Sequence, residues 1–158
     1  MKNLFLLRHA KAVSSSAGLR DFDRSLSNQG REQAERVGKY LKQQNIRLDL
    51  VLSSNAPRAR ETTELVLTAA ESMSEVSYDQ RIYEASAQQL LAVVSEITAE
   101  KNEVLLVGHN PGLEELLKRL TGRFESMGTC ALAKIAIAGS EWIEAAAENR
   151  ELNWLFKV

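Results

Sequence analysis

Apolar positions along this chain recur in two different periods, and the switching between them outlines the fold. Leu4-Phe5-Leu6-Leu7 is an unbroken apolar run. It is too short to span a membrane and suits a strand buried on both faces, as in the middle of a parallel sheet. Leu50-Val51-Leu52, inside a strand expected over about 48–52, and Val104-Leu105-Leu106-Val107 have the same character. Between these runs the period lengthens to that of a helix. Ser27 can cap a helix reaching about 44, with Ala34, Val37 and Leu41 on one face, Tyr40 beside them, and Arg31, Glu35, Lys39 and Lys42 toward water. Gly30, in its first turn, costs some helix propensity and permits a close backbone approach. Pro57 suits the first turn of a helix running to about 68, which turns Ala59, Thr62, Leu65, Val66 and Ala69 toward the sheet. Ser86 and Gln89 form a capping box for a helix to about 98, with Leu90, Val94 and Ile97 as its stripe and Leu91 adjacent. A fourth helix is framed by Asn110 as cap, Pro111 as first helical residue and Gly122 as terminator, and it buries Leu113, Leu116, Leu117 and Leu120.

Val76-Ser77-Tyr78 is a weaker strand signal. After the fourth helix the chain reads as strand: 132–138 is small and β-branched, and 151–158 alternates, which puts Leu152, Trp154, Phe156 and Val158 on one face. Trp142 and Ile143 suggest a further strand between the two. Strands alternating with helices, then strands alone, predict a three-layer α/β/α sandwich with a mostly parallel central sheet and an antiparallel C-terminal edge. A length of 158 residues suits one domain, 1–158, with a substantial core.

Charge and composition narrow the partners. Twenty basic residues nearly balance 21 acidic ones, and no stretch is strongly basic, which argues against nucleic acid. Cys130 is alone, so no intrachain disulfide can form and a reducing compartment is natural. The apolar run near the N-terminus is too short for a signal peptide. A cytoplasmic location and no membrane partner are expected.

The candidate chemistry stands where the apolar runs stop. Leu4–Leu7 gives way to Arg8 and His9, Val104–Val107 to Gly108 and His109, and Leu50–Leu52 to Ser53, Ser54 and, shortly after, Arg58. The chain has two histidines, and each follows such a run. An open α/β sheet binds its ligands beyond the carboxyl ends of its strands. Guanidiniums and imidazoles gathered there suit an anion, phosphate first of all. Arg58 also lies at the start of a helix, where unpaired N–H groups favour anions. Residues two apart on a helix point to different sides, so only one of Arg58 and Arg60 can face a shared pocket. The loop over 13–26 carries Asp21 and Asp23, which could orient Arg8 or take part as acid or base. Glu84 lies just before the third helix, at the level of the other strand ends, where a solvated glutamate is the ordinary alternative. No cysteine has a nucleophile's setting, no carboxylate cluster reads as a metal site, and no Gly-rich phosphate loop of a nucleotide-binding fold follows a strand. No cofactor is expected.

These residues resemble the histidine phosphatase superfamily, the fold of phosphoglycerate mutases and fructose bisphosphatases. The matching pieces are Arg8-His9, Ser53-Ser54 with Arg58-Ala59 and Thr62, and Gly108-His109. Within it the chain is similar to the small SixA-type phosphohistidine phosphatases, through Arg8-His9-Ala10-Lys11-Ala12, Asp21-Phe22-Asp23-Arg24, Leu26 with Gly30, Gln33 and Ala34, and the run from Val107 to Gly112. Two positions depart from pattern: Ser25, where the branch usually has Pro, and Ala10, where mutases usually have Gly. The resemblance implies that His9 attacks phosphorus in line and becomes phosphohistidine, while Arg8, Arg58 and His109 hold the phosphoryl oxygens. Residue chemistry alone does not choose between His9 and His109 as nucleophile. The resemblance also selects Arg58 over Arg60 and gives Glu84 a place comparable to the acid–base carboxylate of some members. It implies a metal-independent phosphatase acting on phosphohistidine in a partner protein, with inorganic phosphate as product. The alternatives are a phosphomonoesterase or mutase acting on a small phosphorylated substrate, and a phosphoprotein-binding module without chemistry. Mutases usually carry larger insertions around the pocket, which this chain lacks, and a complete set of two histidines and two arginines argues against the binding module.

Overall fold

In the computed structural model, which describes residues 1–15, 18–142 and 150–158, the apolar runs are the inner strands of one sheet. The strands are β1 (Lys2–Arg8), β2 (Leu50–Ser53), β3 (Glu75–Tyr78), β4 (Glu103–Gly108), β5 (Leu132–Ile137) and β6 (Glu151–Phe156). The helices are α1 (Asn28–Gln43), α2 (Pro57–Ala70), α3 (Ala87–Ser95) and α4 (Gly112–Thr121), with short 3-10 turns at Asp21–Asp23 and Gln80–Ile82. Strand order across the sheet is β3-β2-β4-β1-β5-β6. The first four run parallel, while β5 is antiparallel to β1 and β6 to β5.

Side chains alternate across a strand, so each inner strand feeds two cores. Leu4 and Leu6 of β1 join the core beneath α3 and α4, and Phe5 and Leu7 join the one beneath α1 and α2; all four are fully buried. Val104 and Leu106 of β4 divide from Leu105 and Val107 in the same way. The domain is a three-layer α/β/α sandwich with an antiparallel C-terminal edge. α1 and α2 pack closely because Gly38 has no side chain: a Cβ there would lie 2.4 Å from the Val66 carbonyl oxygen. Gly30 likewise admits the Lys11 carbonyl, which a Cβ would meet at 2.0 Å.

Several local expectations are corrected. Asn110 does not cap α4 and Pro111 is not its first residue; the helix begins at Gly112 with Pro111 at the cap position. The Asn110 amide instead donates to Glu114 Oε1 at 2.6 Å and to the Met127 carbonyl at 2.7 Å. Thr63 and Leu67 of α2 are buried, while Leu65 and Ala69 are only half-buried. α3 stops at Ser95, although Ile97 still reaches the core. In β6 the simple alternation fails. Lys134 pairs with Trp154 and Ile135 with Leu152, so Asn153 is an extra residue at a bulge. Leu152 and Leu155 therefore face the α3/α4 core, and Trp154 and Phe156 face the other. Trp142 is not in a strand; it is buried and donates its indole N–H to the Lys101 carbonyl at 2.7 Å. Ile143 lies outside the described residues. Among the described residues no helix is long and apolar enough to cross a membrane.

Candidate active site

Because β4 lies between β1 and β2, the three strand ends that carry the candidate chemistry are neighbours. Arg8 pairs with Gly108, and Ser53 with Val107. The ladder continues one residue further on each side: the His9 N–H donates to the Gly108 carbonyl at 3.0 Å, and the Ser54 N–H to the Val107 carbonyl at 3.0 Å. Arg8, His9, Arg58, His109 and Glu84 all line one cleft of about 450 Å³, together with Asp21. A larger groove of about 750 Å³ lies at the amino ends of β2, β3 and β4, among Lys42, Arg47, Glu71 and Lys101, and contains no histidine. The candidate residues are in the smaller cleft.

His9 is 8% exposed and His109 5%. The His9 Nδ1 lies 2.7 Å from the Ala10 carbonyl oxygen, which can only accept. The proton therefore sits on Nδ1, and Nε2 presents a lone pair. The Arg58 Nε–H approaches that lone pair at 3.4 Å. Burial, then the charges of Arg58, Arg8 and Arg24, hold the His9 pKa down to about 4, against the opposing bond to Ala10. His109 is held down to about 3 by burial first, then by His9 and Arg58. Its Nε2 is 2.8 Å from the Ser54 hydroxyl, and its Nδ1 is buried without a hydrogen-bond partner. The two rings lie 5.1 Å apart, and both are neutral near pH 7.

Arg58 comes from the first turn of α2 and is 4% exposed. Its guanidinium donates from Nη1 to the Asp21 carbonyl oxygen at 2.8 Å and from Nη2 to Asp21 Oδ2 at 3.1 Å. Thr62, one turn on, accepts from the Ala10 N–H at 3.0 Å and donates to the Arg58 carbonyl at 2.7 Å, which ties the backbone after His9 to α2. Arg60 points elsewhere: it is exposed, with its guanidinium 4.0 Å from the centre of the Tyr78 ring. Arg8 donates to the Met127 carbonyl at 3.1 Å, and its Nε is buried without a partner. Glu84 is exposed at the rim, with a left-handed backbone, φ 50°.

The family model described as histidine phosphatase superfamily (branch 1) matches residues 4–90 of this chain, the stretch that carries Arg8, His9, Arg58 and Glu84. The chain belongs to the histidine phosphatase superfamily. An uncharacterized chloroplastic protein of Arabidopsis thaliana is 31% identical over 97% of this chain and 74% of its own length. Among solved structures, a SixA-type protein of Agrobacterium tumefaciens superposes with a TM-score of 0.86 at 30% identity, over 99% of this chain and 98% of its own. Another, from Nakamurella multipartitia, gives 0.83 at 27%, over 99% and 95%. Within the superfamily the chain falls in the SixA-type branch, and its enzyme class is phosphatase.

For this histidine phosphatase the loop carboxylates need correction. Neither holds Arg8. Asp21 holds Arg58, and Asp23 pairs at 2.8 Å with the exposed Arg20. The carboxylate whose charge favours the Arg8 cation is Glu114, against burial, which lowers the Arg8 pKa. The Asp21 carboxyl is held down to about 2, first by its bond from Arg24, then by Tyr83, with Arg58 adding to both. Tyr83 was missed by reasoning from sequence. Its hydroxyl donates to Asp21 Oδ2 at 2.8 Å, and its ring meets His109 edge-on at 5.3 Å. The one available signal was its place beside Glu84, after the buried Ile82. Among the described residues no group of three or more His, Cys, Asp or Glu side chains is arranged to hold a metal ion.

Proposed function

We propose that this protein hydrolyses phosphohistidine on a partner protein through a covalent phosphohistidine at His9. The observation that carries the reading is the His9 imidazole: neutral, fixed in one tautomer by Ala10, with its Nε2 lone pair beside Arg58. A neutral imidazole is a competent nucleophile, and phosphoryl transfer asks mainly for positioning and charge stabilisation. In the first step Nε2 attacks phosphorus as the P–N bond to the substrate breaks. The departing imidazole keeps the bonding pair and takes a proton from solvent, which the attacking water of the second step returns. Arg8, Arg58 and His109 hold the equatorial oxygens. Phosphorylated on Nε2 and still protonated on Nδ1, the His9 ring is cationic, and the Ala10 carbonyl accepts its N–H. Water then attacks phosphorus, Nε2 leaves with its pair, and inorganic phosphate departs. Four protein side chains do the work that a metal ion does in other phosphatases, so the reaction is metal-independent. Similarity to SixA-type proteins along nearly the whole chain supports a phosphohistidine substrate.

A small-molecule phosphomonoesterase is the second reading, favoured by Glu84 at the rim of the same cleft. An alkoxide needs a proton to leave, which a carboxyl there would supply. The deciding experiment offers phosphohistidine protein, a phosphoserine peptide and sugar phosphates side by side. The expected result is kcat/KM at least about tenfold higher on phosphohistidine, unchanged by a chelator. A preference for sugar phosphates would move the function to the second reading, and a strict magnesium requirement would refute the mechanism.

A further inference from the structure

We infer that Asp21 is a positioning residue: it fixes the plane of the Arg58 guanidinium and ties the loop after β1, through Tyr83, across the phosphate cleft. The inference deepens the proposed reaction and rests on it. A guanidinium is planar with five N–H groups. Two of those of Arg58 are engaged by Asp21, one at the backbone carbonyl (2.8 Å) and one at Oδ2 (3.1 Å), and a third approaches His9 Nε2 at 3.4 Å. Two bonds to a single residue set the orientation of the plane. The third then directs the Nε–H at the attacking nitrogen.

Asp21 is itself held from three sides. Oδ2 also accepts the Tyr83 hydroxyl at 2.8 Å, and Oδ1 accepts from Arg24 at 2.9 Å. Arg24 in turn donates to the Val13 carbonyl at 2.8 Å. The Tyr83 ring is edge-on to Phe22, next in sequence to Asp21, at 5.1 Å, and lies 5.7 Å from the Arg58 guanidinium. The loop is anchored at its base by Val13 N–H to the Ser25 carbonyl at 2.9 Å and at its far side by this cluster. Such an arrangement suits orientation and not proton transfer: a carboxylate whose two oxygens are taken by cations and a phenol has no proton to give. Its charge also has the wrong sign for binding phosphate. Asp21 therefore weakens the capture of phosphate while improving the geometry of its transfer, and the two effects can be separated.

Asp21→Asn keeps the shape and removes the charge. In the full-length protein, kcat on an aryl phosphate is expected to fall roughly 10- to 100-fold, the scale of charge-assisted hydrogen bonds. Titration with inorganic phosphate is expected to show tighter binding than wild type, since a like charge has gone. In an Arg58→Ala background the same change should cost nothing further, because the group it positions is absent. The Tyr83 phenol, raised by burial and then by its bond to Asp21, should ionise at lower pH in Asp21→Asn, identified by comparison with Tyr83→Phe. Three outcomes overturn the inference: kcat within about twofold of wild type, losses that multiply with Arg58→Ala, or turnover and phosphate affinity falling together as simple structural damage would produce. If wild type turns over no phosphate compound, the proposed function fails. The phosphate and tyrosine titrations then decide the positioning role alone, their predicted shifts supporting it and their absence overturning it.

Discussion

Replacing Arg58 by Ala tests the placement of the site most sharply, because two separable effects follow from the same lost cation. Arg58 is buried at the start of α2, with Nε 3.4 Å from His9 Nε2. Losing one preorganised clamp on a developing anion costs about 10²–10³ in kcat. Its charge is also one of the causes that hold His9 near 4 and His109 near 3. Without it both imidazoles move back toward their ordinary value, so the acid limb of kcat/KM shifts to higher pH. Arg58→Lys separates the two effects. The charge remains and the fork does not, so the rate falls while the acid limb stays near its wild-type position. Stability changes little by comparison, since Asp21 is part-exposed, keeps Arg24 and Tyr83, and can be rehydrated.

Arg60→Ala is the internal control. Its guanidinium rests on Tyr78 at 4.0 Å, an exposed contact worth about 0.5–1 kcal/mol of stability and nothing in the transition state. The assay is steady-state turnover of an aryl phosphate from pH 3.5 to 8 for the wild type and the three variants, the range being chosen to bracket about 4 and the ordinary 6.5. A larger rate loss in Arg60→Ala than in Arg58→Ala would refute the orientation of α2. An acid limb that stays put in Arg58→Ala would refute the electrostatic account of His9.

His9→Ala is expected to abolish turnover with the fold intact, since the residue lies beyond the end of β1; rapid quenching of wild type with labelled substrate should trap an acid-labile adduct that the variant lacks, and an acid-stable adduct would exclude a histidine. Glu84→Gln is expected to slow phosphohistidine hydrolysis only modestly and to cripple any side activity on alkyl phosphates, because a protonated imidazole leaves easily and an alkoxide does not; equal large losses on both substrates would make Glu84 an obligatory acid. Both histidines have folded pKa values below the unfolded ~6.5, so the unfolded chain binds the extra protons, and stability is full above ~6.5 and lost as pH falls toward about 4 and about 3, at up to ~1.4 kcal/mol per pH unit for each ring. Urea midpoints measured across that window should flatten in His109→Gln, and an unchanged slope would contradict its being buried neutral.

The inner sheet was legible because its strands are apolar on both faces, and only a strand flanked by two cores demands that. The convergence of Arg8, His9, Arg58 and His109 was legible for a related reason: polar residues that directly end such strands have one place to go in an open parallel sheet. What escaped were features decided by contacts distant in sequence. Asn110 has the right chemistry for a cap, but its amide is drawn to Met127 and Glu114, so α4 starts later than its Asn-Pro signal suggests. The bulge at Asn153 leaves no mark on an alternating pattern, yet it sends Leu152 and Trp154 to opposite cores. Asp21 was visible as a carboxylate near the site, but its partner depends on how a loop folds back over α2. Tyr83 had no signal of its own beyond its neighbour.

The site as a whole follows from one topological fact, the insertion of β4 between β1 and β2. It brings two imidazoles to within 5.1 Å and lets the first turn of α2 add a buried guanidinium beside them. Burial first, and then the neighbouring guanidiniums, keep both rings neutral near pH 7, so in the proposed reaction the Nε2 lone pair of His9 is ready at neutral pH. The same cations attract a phosphoryl group, whose negative charge offsets them once it enters. In the proposed reaction, forming the N–P bond makes the His9 ring cationic, a charge that the bound phosphoryl group offsets. The Ala10 carbonyl, already bonded to Nδ1 at 2.7 Å, needs no rearrangement to stabilise that charge. Burial, helped by these charges, thus keeps the proposed nucleophile neutral, and the same charges hold the anion that offsets its phosphorylated form.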